Sequence, residues 1–159
     1  MNILPQSKQV EIIGMLCEGV GQRAVSRLTE TDRKTVARLA LAIGTGCAEL
    51  HDRMMVGLHV HRIECDELWS FVGHKRNPQA GPKRRPSPVM GDQYTYVGLA
   101  SATRAIIAYR TGKRDSATTD DFIQDLRGRV IGTPEISTDG LHHYKPAIRD
   151  ASASAPFMA

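Results

Sequence analysis

The chain has 159 residues, 41% of them hydrophobic and 24% charged, the balance of a globular protein that holds one ordinary domain or a small module joined to a larger one. No apolar run approaches the roughly 18 residues that a membrane span requires, and the start, MNILPQSKQVEII, shows no secretory signal. Three widely spaced cysteines, Cys17, Cys47 and Cys65, argue against a disulfide framework or a standard zinc site and fit a reducing cytoplasm.

The net charge of +4 is unevenly placed. Residues 73–91 hold Lys75, Arg76, Lys83, Arg84 and Arg85 with no acid, so the basic excess of the whole chain resides in this one segment.

In chain order, residues 7–18 place Val10, Ile13 and Leu16 or Cys17 at helical spacing, with Ser7 as a candidate N-cap. A short second helix over QRAVSRLT turns Ala24, Val25 and Leu28 inward. After a turn at Thr29–Thr31, a third helix starts at the cap Asp32 and runs to Gly44, with Val36, Leu39 and Ala40 inward. Three short helices with a tight turn between the last two form a helix-turn-helix pattern, predicted over residues 1–46. Residues 47–57 read as a linker.

From Leu58 the period becomes two. LHVHRIECDELWSFVG reads as one extended strand, with Trp69 expected in the core. The segment HKRNPQAGPKRRPSPVMGD holds four of the eight prolines and is too long for a hairpin. Gln93–Ser101 and Arg104–Gly112 form a hairpin. Ser116 is the candidate cap of a helix that turns Phe122, Ile123, Leu126 and Val130 inward. EISTDG is a short strand ending at Asp139, and a last helix starts near His143. Residues 58–152 thus read β-β-β-α-β-α, an α/β (α+β) domain whose order opens like a ribonuclease H-like mixed sheet. Residues 153–159 form a tail without periodicity.

The stretch IECDELWSFVG places Glu64, Asp66 and Glu67 inside an otherwise apolar strand, where charge is costly unless paired or bound. Side chains alternate faces, so Glu64 and Asp66 share one face and Glu67 takes the other. Asp139 ends another strand, and Gly140 lets the chain turn away beside it. If the two strands are neighbours, Asp66 and Asp139 could hold Mg²⁺, which takes carboxylate and water oxygens and leaves positions for phosphate. The competing reading is that these acids are solvated or salt-bridged. His59, His61 and Cys65, with His51 upstream, lack the tight ligand pairs of a zinc site.

In the third helix Arg33, Lys34 and Arg38 form a basic face that could meet DNA, guanidinium groups on guanine edges and ammonium on phosphate. Arg23 and Arg27 on the second helix could touch the backbone. Lys75, Arg76, Lys83, Arg84 and Arg85 suit phosphate tracking. Each group could equally be a solvated basic surface.

The segments CDELWSFVG, YTYVGLASATRAIIAYRTGKRDSATTDDFIQDLRGRV and ISTDGLHHY, in this order, resemble the DDE transposases of bacterial insertion sequences, in particular the insertion-sequence-one-like group. The resemblance covers most of residues 60–150. It implies a ribonuclease H-like catalytic domain behind a helix-turn-helix that recognises the element's terminal repeats in double-stranded DNA. It also implies phosphodiester cleavage and strand transfer dependent on Mg²⁺ (or Mn²⁺), with Asp66 and Asp139 as the first two catalytic, metal-binding acids. A homo-oligomer acting in the cytoplasm is the expected assembly.

One departure matters. The family's third acid is a glutamate well beyond the second aspartate, yet the sequence ends 20 residues after Asp139, and Asp150 is too close to serve. The expectation is a C-terminally truncated transposase, inactive alone. The alternatives are a non-catalytic DNA-binding repressor or a relic fragment.

Overall fold

The computed structural model describes residues 4–73 and 89–153. The basic segment with Lys75, Arg76, Lys83, Arg84 and Arg85 lies outside the described residues, as does nearly all of the tail. The chain forms two compact units, Met1–Met54 and Met55–Ala159.

The first unit consists of α1 (Gln6–Cys17), α2 (Gln22–Leu28) and α3 (Arg33–Met54). Each helix contributes one fully buried residue to a small core, Ile12, Val25 and Val36, with Leu4, Met15, Leu16, Val20 and Leu39 around them. The α1 stripe is therefore Ile12, Met15 and Leu16, at i, i+3 and i+4; the expected Val10 is exposed, and Leu28 of α2 is exposed too. Pro5, with no side-chain cap bond, precedes α1 in place of the expected cap Ser7. The turn into α3 is built from hydroxyls: Thr29 donates to the Val25 carbonyl at 2.8 Å and Ser26 to the Thr31 carbonyl at 2.7 Å. Asp32 caps α3 as expected, its Oδ1 accepting from the Lys34 and Thr35 amides at 2.9 and 3.3 Å. The helix does not stop at Gly44 but continues unbroken to Met54. A helical glycine costs only about 1 kcal/mol, and this stretch has no proline to end it.

The second unit runs β1 (Leu58–His59), β2 (Arg62–Val72), β3 (Gly91–Ala100), β4 (Ile106–Gly112), α4 (Ser116–Arg129), β5 (Val130–Ile131), β6 (Glu135–Thr138) and α5 (Tyr144–Ala153). Its four-stranded sheet has the order β4-β3-β2-β6, antiparallel except for the parallel β2–β6 pair. Three strands in series, then a fourth laid parallel to the first after a helix, is the ribonuclease H-like arrangement expected from the sequence. The long strand expected from Leu58 is split, because Leu58–His59 pair separately and in parallel with β5.

One face of the sheet carries the core. Ile63, Cys65, Tyr96 and Ala100 meet Phe122, Ile123 and Leu126 of α4 and Tyr144, Ala147 and Ala151 of α5. The Tyr96, Phe122 and Tyr144 rings lie 5.7–6.5 Å apart, at aromatic-pair distance. Asp115, not Ser116, caps α4, its Oδ1 accepting from the Thr118 amide at 2.9 Å. Trp69 departs from its expected core position: it is 48% exposed, its ring 5.8 Å from that of Phe71. β6 pairs only with Arg62–Cys65, so Trp69 lies on the part of β2 that pairs with β3 alone. No described helix is long and apolar enough to cross a membrane.

Candidate functional site

Along β2 the alternation of faces sorts the acids. Ile63 and Cys65 are buried, and Glu67 continues their face with a side chain only 2% exposed. Glu64 and Asp66 are exposed on the opposite face. Asp66 Oδ1 accepts from the Glu67 amide at 2.8 Å, and Glu64 Oε1 accepts from the Ser101 hydroxyl at 3.0 Å.

The β2–β6 register ends at the pair Cys65 and Thr138. The next residue in β2 is Asp66 and the residue just past the end of β6 is Asp139, so the two aspartates follow directly on the last registered pair. Immediately after, Gly140 turns the chain with φ +87°, a conformation that a side chain would strain. Asp139 Oδ1 accepts from the Leu141 amide at 3.1 Å, which fixes the carboxylate at the strand end.

Asp139 is also tied to the other face. Arg114 donates from Nε and Nη2 to Glu67 Oε2 at 3.1 and 3.0 Å, and from Nη2 to Asp139 Oδ2 at 3.2 Å. The guanidinium lies 5.7 Å from the centre of the Tyr94 ring, a cation–π distance. Its neighbours hold it in place. Lys113 Nζ donates to the Met90 and Asp92 carbonyls at 2.8 Å each, and Asp115 caps α4. The hydrogen bond to Glu67, ahead of the charges around it, strengthens the hold of Arg114 on its proton.

Beneath this pair lie two buried polar atoms. Glu67 Oε1 and the Tyr144 hydroxyl are both buried with no hydrogen-bond partner among the described residues. Burial first, and the nearby Glu67 carboxylate second, push the Tyr144 phenol well above its ordinary pKa, although the two make no bond of good geometry. The same two causes, in the same order, push the Cys65 thiol up to about 12.

Asp66 and Asp139 suit a divalent cation in number and chemistry, since Mg²⁺ is commonly held by one or two carboxylates plus water and phosphate oxygens. Neighbouring strands lie about 4.8 Å apart, within the span of two carboxylates on one ion. No group of three or more His, Cys, Asp or Glu able to hold a metal gathers among the described residues. The histidine–cysteine set of His51, His59, His61 and Cys65 is therefore not assembled. His142 and His143 stack on each other at 3.8 Å.

In the first unit, Arg23, Arg27, Arg33, Lys34 and Arg38 are all exposed. Arg23, Arg27 and Arg33 line one open surface depression with Gly21, Gln22 and Ala24, and no acid lines it. Lys34 and Arg38 stand apart from it, Arg38 Nε donating to the Lys34 carbonyl at 3.4 Å. Arg33 thus groups with the α2 arginines instead of with Lys34 and Arg38.

Arg114 is the functional candidate that sequence reasoning missed. A basic residue between a strand and a helix reads as a solvated turn, and its partners lie 47 and 25 positions away.

No family model matches the chain, and no curated protein matches it. Among solved structures it is similar to the Mos1 transposase paired-end complex with left transposon end, at 16% identity and a TM-score of 0.35, over 97% of this chain and 59% of that one. It is also similar to the Mos1 strand transfer complex, at 16% identity and a TM-score of 0.36 over 97% and 58%. A third is the mariner Mos1 paired end complex with Mg, at 13% identity and a TM-score of 0.34 over 97% and 59%. The chain spans under three fifths of the length of these structures. At that degree of likeness the functional reading rests on the residues themselves.

Proposed function

We propose that this chain is a DNA transposase of the DDE type, of the kind found in bacterial insertion sequences. The first unit would bind double-stranded DNA at terminal repeats, and the second would carry the phosphodiester chemistry. The observation that supports the reading is the parallel β2–β6 pairing, whose register ends at Cys65 and Thr138, one residue before Asp66 and Asp139. Strand alternation aims Asp66 outward, and Gly140 turns the backbone away from Asp139, whose carboxylate is part-exposed and carries the Arg114 ion pair.

Asp66 and Asp139 would hold Mg²⁺ or Mn²⁺, which supplies Lewis-acid polarisation of a phosphodiester and of bound water. Glu64, on the face of Asp66, stays engaged with Ser101 and takes no part. Arg23, Arg27 and Arg33, grouped on one surface, would grip DNA phosphates together with Lys34, while Arg38 on α3 would reach base edges. No third acid gathers beside the aspartates among the described residues, and cation and DNA binding are the two activities that those residues would support.

Mn²⁺ titration tests the pair. Asp66→Ala and Asp139→Ala should each weaken binding by about tenfold or more, on the loss of a charged ligand. Equal affinity in wild type and both variants would sink the assignment. A second reading, a non-catalytic DNA-binding repressor, draws support from the Arg114 ion pair on Asp139. Gel shift on candidate terminal repeats separates the two: binding with no metal-dependent nicking favours the repressor.

A further inference from the structure

The guanidinium of Arg114 reaches two acids on different strands, and it does not hold them equally. Two of its three contacts go to Glu67, whose side chain is 2% exposed; the third, at 3.2 Å, goes to Asp139, which is 39% exposed. Among the described residues Arg114 is the cation paired with this buried carboxylate, and losing it would leave a buried charge uncompensated. The Asp139 arm is the one that solvent can replace. A divalent ion on Asp139 would meet a fixed positive charge already bound to the oxygen it needs, and like charges at that range repel.

We propose that Arg114 is a positioning residue that stands on Asp139 in place of a cation, so that the Arg114–Asp139 ion pair and divalent-metal binding exclude one another. The inference rests on the assignment of Asp66 and Asp139 as the metal pair. When the ion takes Asp139, Arg114 stays anchored to Glu67 through Nε and Nη2 and stacked by Tyr94, and the second Nη2 hydrogen is released from Asp139. There it is placed to meet a phosphate oxygen of the DNA. The device keeps Asp139 neutralised until cation and substrate arrive together.

The test is Mn²⁺ affinity of the full chain, read by electron paramagnetic resonance of the free ion. Arg114→Gln should bind Mn²⁺ roughly fivefold tighter or more, because a positive charge beside a divalent ion is removed. Arg114→Lys, which keeps the charge, should stay within about twofold of wild type. A merely structural role would only loosen the site, so a gain in affinity is the discriminating sign. Arg114→Gln leaves a buried carboxylate unpaired and could unfold; the double variant Glu67→Gln with Arg114→Gln buries no lone charge and should still bind about twofold tighter than wild type. Unchanged or weaker Mn²⁺ binding in the folded double variant overturns the inference. If Asp66→Ala and Asp139→Ala themselves leave Mn²⁺ binding intact, the metal pair fails and the inference falls with it. If they abolish binding but the arginine variants gain nothing, the inference fails alone.

Discussion

Asp66 and Glu67 are adjacent in sequence and opposite in environment. Asp66 is exposed, whereas the Glu67 side chain is buried with one oxygen on Arg114 and the other without a partner among the described residues. Removing the guanidinium with Arg114→Ala should cost about 1–3 kcal/mol, the penalty of a buried charge left without its donor, as read from urea unfolding. The Cys65 thiol reports on the same pocket. Its native pKa is raised from 9.0 to about 12, so the stability it contributes is complete below pH 9 and fades as pH climbs toward 12. At pH 8 an aromatic disulfide reagent should label the exposed Cys17 and Cys47 and spare Cys65 until the protein unfolds. Asp115 has the opposite sign. The Thr118 amide, its first cause, lowers the Asp115 pKa below the ordinary 3.8. Its contribution is therefore present above about pH 4 and lost as pH falls through the native value. Asp115→Ala should remove about 1 kcal/mol with the cap, a loss visible at pH 7 and shrinking in acid.

Elements were legible wherever a period of 2 or 3.6 had a partner to face. The strands of the hairpin and the helix α4 follow their patterns closely because each lies on the common core. The second half of α3 has no buried residue, so it carries no stripe and reads as a connector even though its backbone bonds continue. Trp69 misled for a related reason: its apolar character was visible, but the shortness of β6 beside it was not. Close approach of elements is equally silent in sequence. Gly98 in β3 lies under α4, where an added Cβ would come within 3.1 Å of Leu126 Cδ1. Gly98→Val should destabilise the second unit by about 1–3 kcal/mol through overpacking, measurable as a fall in Tm.

At the scale of the whole molecule, the two units have separate cores of unequal size. Among its described residues the first has a hydrophobic core of Ile12, Val25 and Val36. A deletion there, such as Ile12→Ala, should cost about 2–5 kcal/mol, as much as so small a unit can lose and stay folded. Gel shift should then fail while Cys65 remains protected from thiol reagents. Binding by the intact chain should weaken steeply with salt, and charge removal at Arg23, Arg27 or Arg33 should each reduce the slope by about one ion. The acid-bearing strands and their order could be read from the sequence, as could the face that each acid takes. The ion bridge that joins them could not, because it depends on a residue brought in from the end of β4.

That bridge also bears on how β2 finds its place. Side chains alternate along a strand, so a slip of one residue against β3 would turn Glu64 and Asp66 into the core and expel Ile63 and Cys65. The slipped sheet would bury two carboxylates where the native sheet buries one, and Arg114 offers a single guanidinium. Mispairing is thereby penalised by charge as well as by lost apolar contact, and the buried acid acts as a key that fits only one alignment of the strands.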